Sequence, residues 1–135
     1  MFASIVDAVR HSTYLAALEA AQAESERVRE ATTPAKDMPT LFVEYFLAKD
    51  RKSGYGVKFD GELIGVFSLV KGRGKDLIKE AVEIDGATKL DCFDGFLPEF
   101  YKQFGFEEYK REPNWTEGGP DVVYMRIPSA GDLSQ

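Results

Sequence analysis

The chain has 135 residues, 44% of them hydrophobic and 30% charged, with a formal net charge of −6. That is the ordinary globular range, long enough for one domain that buries roughly two thirds of its unfolded surface. The acidic balance weighs against nucleic acid as the main partner, since phosphate binding runs on clustered Lys and Arg. A single cysteine, Cys92, excludes an internal disulfide and any multi-cysteine zinc site, so no metal is expected. No apolar run reaches the roughly 18 residues a membrane span needs, and no membrane partner is expected. MFASIVDAVRHS lacks both a charged leader and a continuous apolar core, which points to the cytoplasm, or to host cytoplasm or virion for a phage-encoded chain.

In chain order, residues 3–31 read as one helix. Ile5, Val6 and Val9 share one face and Leu15 and Leu18 another, and from Gln22 onward the pattern turns polar, as on a solvated helix. The mixed charges from Glu19 to Glu30 are a solvated face or an arm for self-association or a protein partner. Thr32-Thr33-Pro34 and Pro39 mark a connector. TLFVEYFLA, residues 40–48, is β-branched and aromatic enough for a strand, with a short helix as the alternative. YGVKF, the pair Asp60-Gly61 and ELIGVFSLV form a hairpin whose second run is apolar on both faces, as in a central strand.

The loop Lys71-Gly72-Arg73-Gly74-Lys75-Asp76 follows, then LIKEAVEI as a helix with Leu77, Ile78, Ala81, Val82 and Ile84 on its buried face. GATKLDCF is the next strand. A short aromatic helix carries Phe96, Leu97, Phe100, Tyr101 and Phe104, and Gly105 stops it. A last hairpin runs from EEYKREPNW through Glu117-Gly118-Gly119-Pro120 to DVVYMRI, and residues 129–135 look like a flexible tail.

This order, with FDGELIGVF as a hairpin and FYKQFGF as a closing helix, resembles the GNAT superfamily of N-acetyltransferases over roughly residues 55–127. PDVVYM and LDCFDGFLPEFY also resemble short GNAT-like proteins of bacteriophages. The resemblance implies an α+β fold: a mixed, mostly antiparallel sheet flanked by helices over residues 40–128, with a helical N-terminal extension over 1–33. It implies acetyl-CoA as co-substrate and a small-molecule or protein amine as acceptor. Lys71, Gly72 and Gly74 match the family's pyrophosphate loop. Tyr101 matches the tyrosine near the CoA sulfur that protonates the leaving thiolate. Asp94, seven positions earlier, stands where the family usually has Asn.

The loop's physics is independent of the family. Glycines let backbone approach an anion, a helix N-terminus adds N–H donors, and Lys71, Arg73 and Lys75 add charge. The plain alternative is an exposed turn. Asp76, where the family has Gly or Ala, would repel a pyrophosphate. Acetyl transfer also needs a base, an oxyanion donor and an acid. Tyr101 is the candidate acid, or else a core tyrosine. Asp91, inside an apolar strand, is a candidate base acting through water, or a satisfied strand residue; Glu44 is a second. Cys92 reads as core, His11 as a surface residue, and Trp115 and Tyr109 as packed on the sheet or lining an acceptor groove. The expected function is acyl-CoA-dependent N-acetyl transfer. The alternative is a GNAT-like binding or structural protein without CoA chemistry, a bacteriophage accessory or virion component, supported by Asp76, Asp94 and the lack of a carboxylate past Glu62 in its strand.

Overall fold

Ser25 divides what the sequence suggests is one long helix. The computed structural model describes residues 4–128, and in it Ser25 adopts extended backbone (φ −126°, ψ 117°). Its hydroxyl accepts the N–H of Val28 at 3.2 Å, so it closes helix α1 (His11–Glu24) and caps helix α2 (Glu26–Ala31). The residues before His11 are not helical. Asp7–Val9 forms a strand, β1, paired antiparallel with Tyr45 to Leu47. The reading of 3–31 as one helix is thereby corrected. Local periodicity favoured helix, but a neighbouring strand with free backbone groups and a serine able to cap won.

The chain forms two units, one ending at Ala87 and the other beginning at Thr88. In the first, β1, β2 (Val43–Leu47), β3 (Ser53–Lys58) and β4 (Leu63–Ser68) make an antiparallel sheet in that order, and helix α3 (Gly74–Glu83) follows. The strand and hairpin expected over 40–70 are present. β4 ends the hydrogen-bonded order of this sheet, however, and is not its centre.

The core of this unit joins α1 to the sheet: Tyr14, Leu18 and Ala21 pack with Tyr45, Leu47 and Phe67. The rings of Tyr14 and Tyr45 stack at 4.2 Å. Each buried phenol finds a carbonyl, Tyr45 that of Pro39 at 2.6 Å and Tyr14 that of Gly65. The second bond depends on a bulge. Between the pairs Gly54↔Phe67 and Gly56↔Ile64, β3 has one residue and β4 two. Gly65 takes φ +57° there, and a Cβ would overlap the Tyr14 hydroxyl and lie 2.7 Å from Met38 Cε. Only glycine fits.

α1 is therefore not solvated through its second half. Gln22 is buried, and its amide donates to the Thr32 hydroxyl at 2.9 Å and the Thr33 carbonyl at 2.8 Å while accepting the Ala35 N–H. Val28 is also buried. On α3, Leu77, Ile78 and Ala81 are buried as expected, but Ile84 is 55% exposed and Glu80 takes a buried place at 1% exposure.

The second unit contains β5 (Lys89–Phe93), helix α4 (Phe96–Lys102), β6 (Glu107–Glu112) and β7 (Val122–Arg126). Its sheet runs β5-β7-β6, again antiparallel. β7 is central, with Val123 and Met125 fully buried. α4 lays Tyr101 against Phe106, ring centroids 5.9 Å apart. Gly105 takes φ +97° at the expected helix stop. Among the described residues the architecture is α+β, with two antiparallel sheets and four α-helices. The expected tail, residues 129–135, lies outside the described residues.

Candidate functional site

The loop from Lys71 to Lys75 turns at Gly72 (φ +83°), where a Cβ would meet nothing within 4 Å, so the backbone is open to an approaching group. α3 begins at Gly74 with no side-chain cap, and the Arg73 carbonyl accepts the N–H of Leu77 at 3.1 Å. The helix thus presents first-turn N–H donors and the positive end of its dipole without a side-chain acceptor of its own. Lys71 and Lys75 are exposed beside it.

Arg73 is not part of that cation set. Its guanidinium binds both oxygens of Asp50 at 3.0 and 2.9 Å and the Ser53 hydroxyl at 2.9 Å. Asp50 is itself fixed by the Lys52 N–H; that bond, then Arg73, holds its carboxyl below the usual value. Asp76 is exposed in the first turn, where a carboxylate steadies the helix dipole and competes with any incoming anion.

Asp91, Cys92, Asp94 and Tyr101 all fall in the second unit. Tyr101 is buried, and burial first, then the nearby Cys92 and Asp91, pushes its phenol well above the ordinary value. It stays protonated throughout the neutral range, a hydrogen-bond donor and a weak acid. Asp91 is exposed on β5 opposite Tyr124. The Cys92 thiol is pushed up to about 12, by burial and then by Asp91, Asp94 and Glu108. It is a poor nucleophile at neutral pH.

Asp94, expected at the cofactor, is bound by Arg111 at 2.8 Å. Arg111 also meets Glu108 at 2.9 Å and Asp121 at 3.5 Å. The Arg111 bond, then the Gly95 N–H, holds the Asp94 carboxyl below its usual value.

Glu44 belongs to the first unit, exposed on β2 opposite Val57. Its charge bears on Asp85, whose carboxyl is raised by burial first and then, against the lowering bond from Tyr55, by Glu80 and Glu44. The Tyr55 hydroxyl donates to Asp85 at 2.5 Å. Glu80 accepts the Ile5 N–H at 2.8 Å and the Ser4 hydroxyl.

Sequence reasoning missed Glu80, because a charged residue at a helical position reads as solvent-facing. It also placed His11 on the surface. The ring is half-buried, 3.2 Å from the Val43 carbonyl and edge-on to Tyr45. The bulge at Gly65 had one available signal, a glycine inside a strand. No group of three His, Cys, Asp or Glu among the described residues is arranged to hold a metal, and no described helix is long and apolar enough to cross a membrane.

Comparison with solved structures assigns the architecture: the chain has a GNAT-like fold. An acyl-CoA N-acyltransferase from Pseudomonas aeruginosa is 17% identical and superposes with a TM-score of 0.62 over 90% of this chain and 97% of that one. A presumed N-acetyltransferase from Lactobacillus plantarum is 15% identical, with a TM-score of 0.56 over 91% of this chain and 98% of the other. No protein-family model and no curated protein matches the chain.

Proposed function

We propose that the chain is an acyl-CoA-dependent N-acetyltransferase acting on an amine acceptor. The observation that supports this most is the uncapped start of α3 behind the open turn at Gly72, with Lys71 and Lys75 beside it, in a chain of GNAT-like fold. These residues suit a pyrophosphate: N–H donors, a dipole end and two exposed lysines stand next to the open turn at Gly72, with Asp76 as the one opposing charge in the first turn. When bound, acetyl-CoA would supply the acetyl group as an activated thioester. The N–H groups from Gly74 onward and Lys71 and Lys75 would hold its phosphates, while Arg73 holds the loop to Asp50. The GNAT resemblance gives Tyr101 the role of acid for the departing thiolate, and burial keeps its phenol protonated throughout the neutral range. Asp91 or, alternatively, Glu44 is the proposed base that accepts the amine proton.

A second reading keeps the fold and drops the chemistry, leaving a binding or structural protein. Asp76 at the helix start and the capture of both Arg73 and Asp94 by ion pairs favour it.

Calorimetric titration with acetyl-CoA and with CoA, on the native chain and on Gly74→Glu, separates the two. Glutamate in the first turn of a helix favours the helix dipole, so the variant keeps its fold while placing a carboxylate at the anion site. The expected result is micromolar binding that the substitution weakens at least tenfold, about 1.4 kcal/mol. An absence of heat from the native chain at millimolar ligand overturns the proposal.

A further inference from the structure

Arg51 adopts φ +59°, a left-handed backbone that glycine or asparagine takes readily and a long side chain rarely does. It stands in the connection between β2 and β3. The Ala48 N–H donates to the Ser53 carbonyl at 3.0 Å and the Arg51 N–H to the Ala48 carbonyl at 2.9 Å, so the connection is closed and ordered. A strained position kept by a residue other than glycine points to a task for its side chain. Lys49 and Lys52 share the same connection, and all three cations are exposed.

Observed bonds tie this connection to the loop that opens α3. Arg73 reaches the Asp50 carboxylate at 2.9 Å and the Ser53 hydroxyl at 2.9 Å. The Leu69 N–H donates to the Lys52 carbonyl at 2.7 Å, close before Lys71 in the chain. Asp50 sits between Lys49 and Arg51 in sequence, so the ion pair that fixes the loop also brings these cations to it. Among the charged residues of 49–52 and 71–76, Asp50 and Arg73 neutralise each other and five cations are exposed, with Asp76 the remaining acid. A chain of net charge −6 thus concentrates positive charge at this end of its first sheet. Two cationic segments held side by side repel each other until an anion lies between them.

We propose that Lys49, Arg51 and Lys52 form a second phosphate site, which takes the 3′-phosphate of coenzyme A. The inference rests on the reading of the loop from Lys71 to Lys75 as the pyrophosphate site. CoA carries its pyrophosphate and its 3′-phosphate on one ribose. A ligand held by the loop therefore delivers its other phosphate to the neighbouring cations at high local concentration. An unattached acidic peptide or a nucleic acid has no such tether, and it meets the repulsive field of a chain of net charge −6.

Dephospho-CoA lacks only the 3′-phosphate, so calorimetric titration of the full chain with CoA and with dephospho-CoA isolates this site. The native chain should bind CoA about tenfold tighter at low salt, by a ratio that shrinks as salt is added. Arg51→Gly removes one cation where the backbone already suits glycine, so the fold is kept, and urea unfolding verifies it. This variant should bind CoA about fivefold more weakly and dephospho-CoA within about twofold of the native chain. Lys49→Gln combined with Lys52→Gln should narrow the ratio in the same way. Equal native affinity for the two ligands overturns this proposal and leaves the pyrophosphate reading standing, whereas binding of neither overturns both. An Arg51→Gly variant that weakens both ligands alike, or neither, also overturns the assignment.

Discussion

Replacing Gly65 by alanine tests whether the bulge in β4 is wedged in place by Tyr14. Gly65 sits at φ +57°, a region that costs an alanine about 1–2 kcal/mol. Its new methyl would also overlap the Tyr14 hydroxyl and crowd Met38 Cε. Overpacking of a filled core costs about 1–3 kcal/mol. If Tyr14 moves aside, its buried hydroxyl loses the Gly65 carbonyl, at about 1–3 kcal/mol. Strain plus either of these alternatives gives an expected loss of about 2–5 kcal/mol, a large part of the roughly 5–15 kcal/mol of a typical domain. Gly72→Ala is the control, with φ +83° and nothing within 4 Å of a Cβ, so it should lose only about 1–2 kcal/mol. Urea unfolding followed by circular dichroism measures both. In a Tyr14→Phe background the oxygen that the methyl strikes is gone, so the two changes should couple by about 1 kcal/mol or more. A Gly65→Ala cost within about 1 kcal/mol of the Gly72→Ala cost, with no coupling to Tyr14, would refute the reasoning.

Three other outcomes follow from the same geometry. Asp85 has its carboxyl raised by burial, so its contribution to stability is complete below the unfolded value, about 3.9, and is lost as pH rises through the folded one. Asp85→Asn keeps an acceptor for the Tyr55 hydroxyl and removes the charge; the native-minus-variant difference in urea midpoint should fall as pH rises from 4 toward 7, and a flat difference would contradict this. Asp50→Asn should release Arg73 toward the α3 start at a stability cost of at most about 1 kcal/mol. One more cation near a bound pyrophosphate is worth about 1 kcal/mol in water, so CoA should bind about fivefold tighter at low salt, and unchanged or weaker binding would count against the loop assignment. Tyr101→Phe should lower kcat by about 10²-fold while leaving the acetyl-CoA affinity unaltered; a native kcat would remove Tyr101 from the chemistry.

The architecture was legible where the signals are local. Asp60-Gly61 between two extended runs predicts the β3–β4 hairpin, and Leu77, Ile78 and Ala81 place the inner face of α3. Gly105 marks the end of the aromatic helix segment. Each rests on turn chemistry or spacing within a few neighbours, which is information the chain carries in order. The loop from Lys71 to Lys75 was legible as glycine-rich and basic for the same reason.

The partners of those residues were decided by the tertiary structure. Arg73 looked like a phosphate ligand until the turn before β3 brought Asp50 and Ser53 to it, 23 and 20 residues away in the chain. Asp94 looked like a cofactor contact until β6 delivered Arg111, 17 residues on. Glu80 is not among the residues read as the buried face of α3, yet receives Ser4 and Ile5 from the other end of its unit, 76 and 75 residues distant. An isolated sequence shows which groups carry charge, where the backbone can bend and which faces are apolar. It does not show which charges neutralise each other, because an ion pair depends on distances of a few ångströms between segments whose separation along the chain sets no such distance. Sequence determined most of the elements and the chemistry available to them; folding decided that Asp7–Val9 pairs as a strand and which charged groups remain open to a ligand.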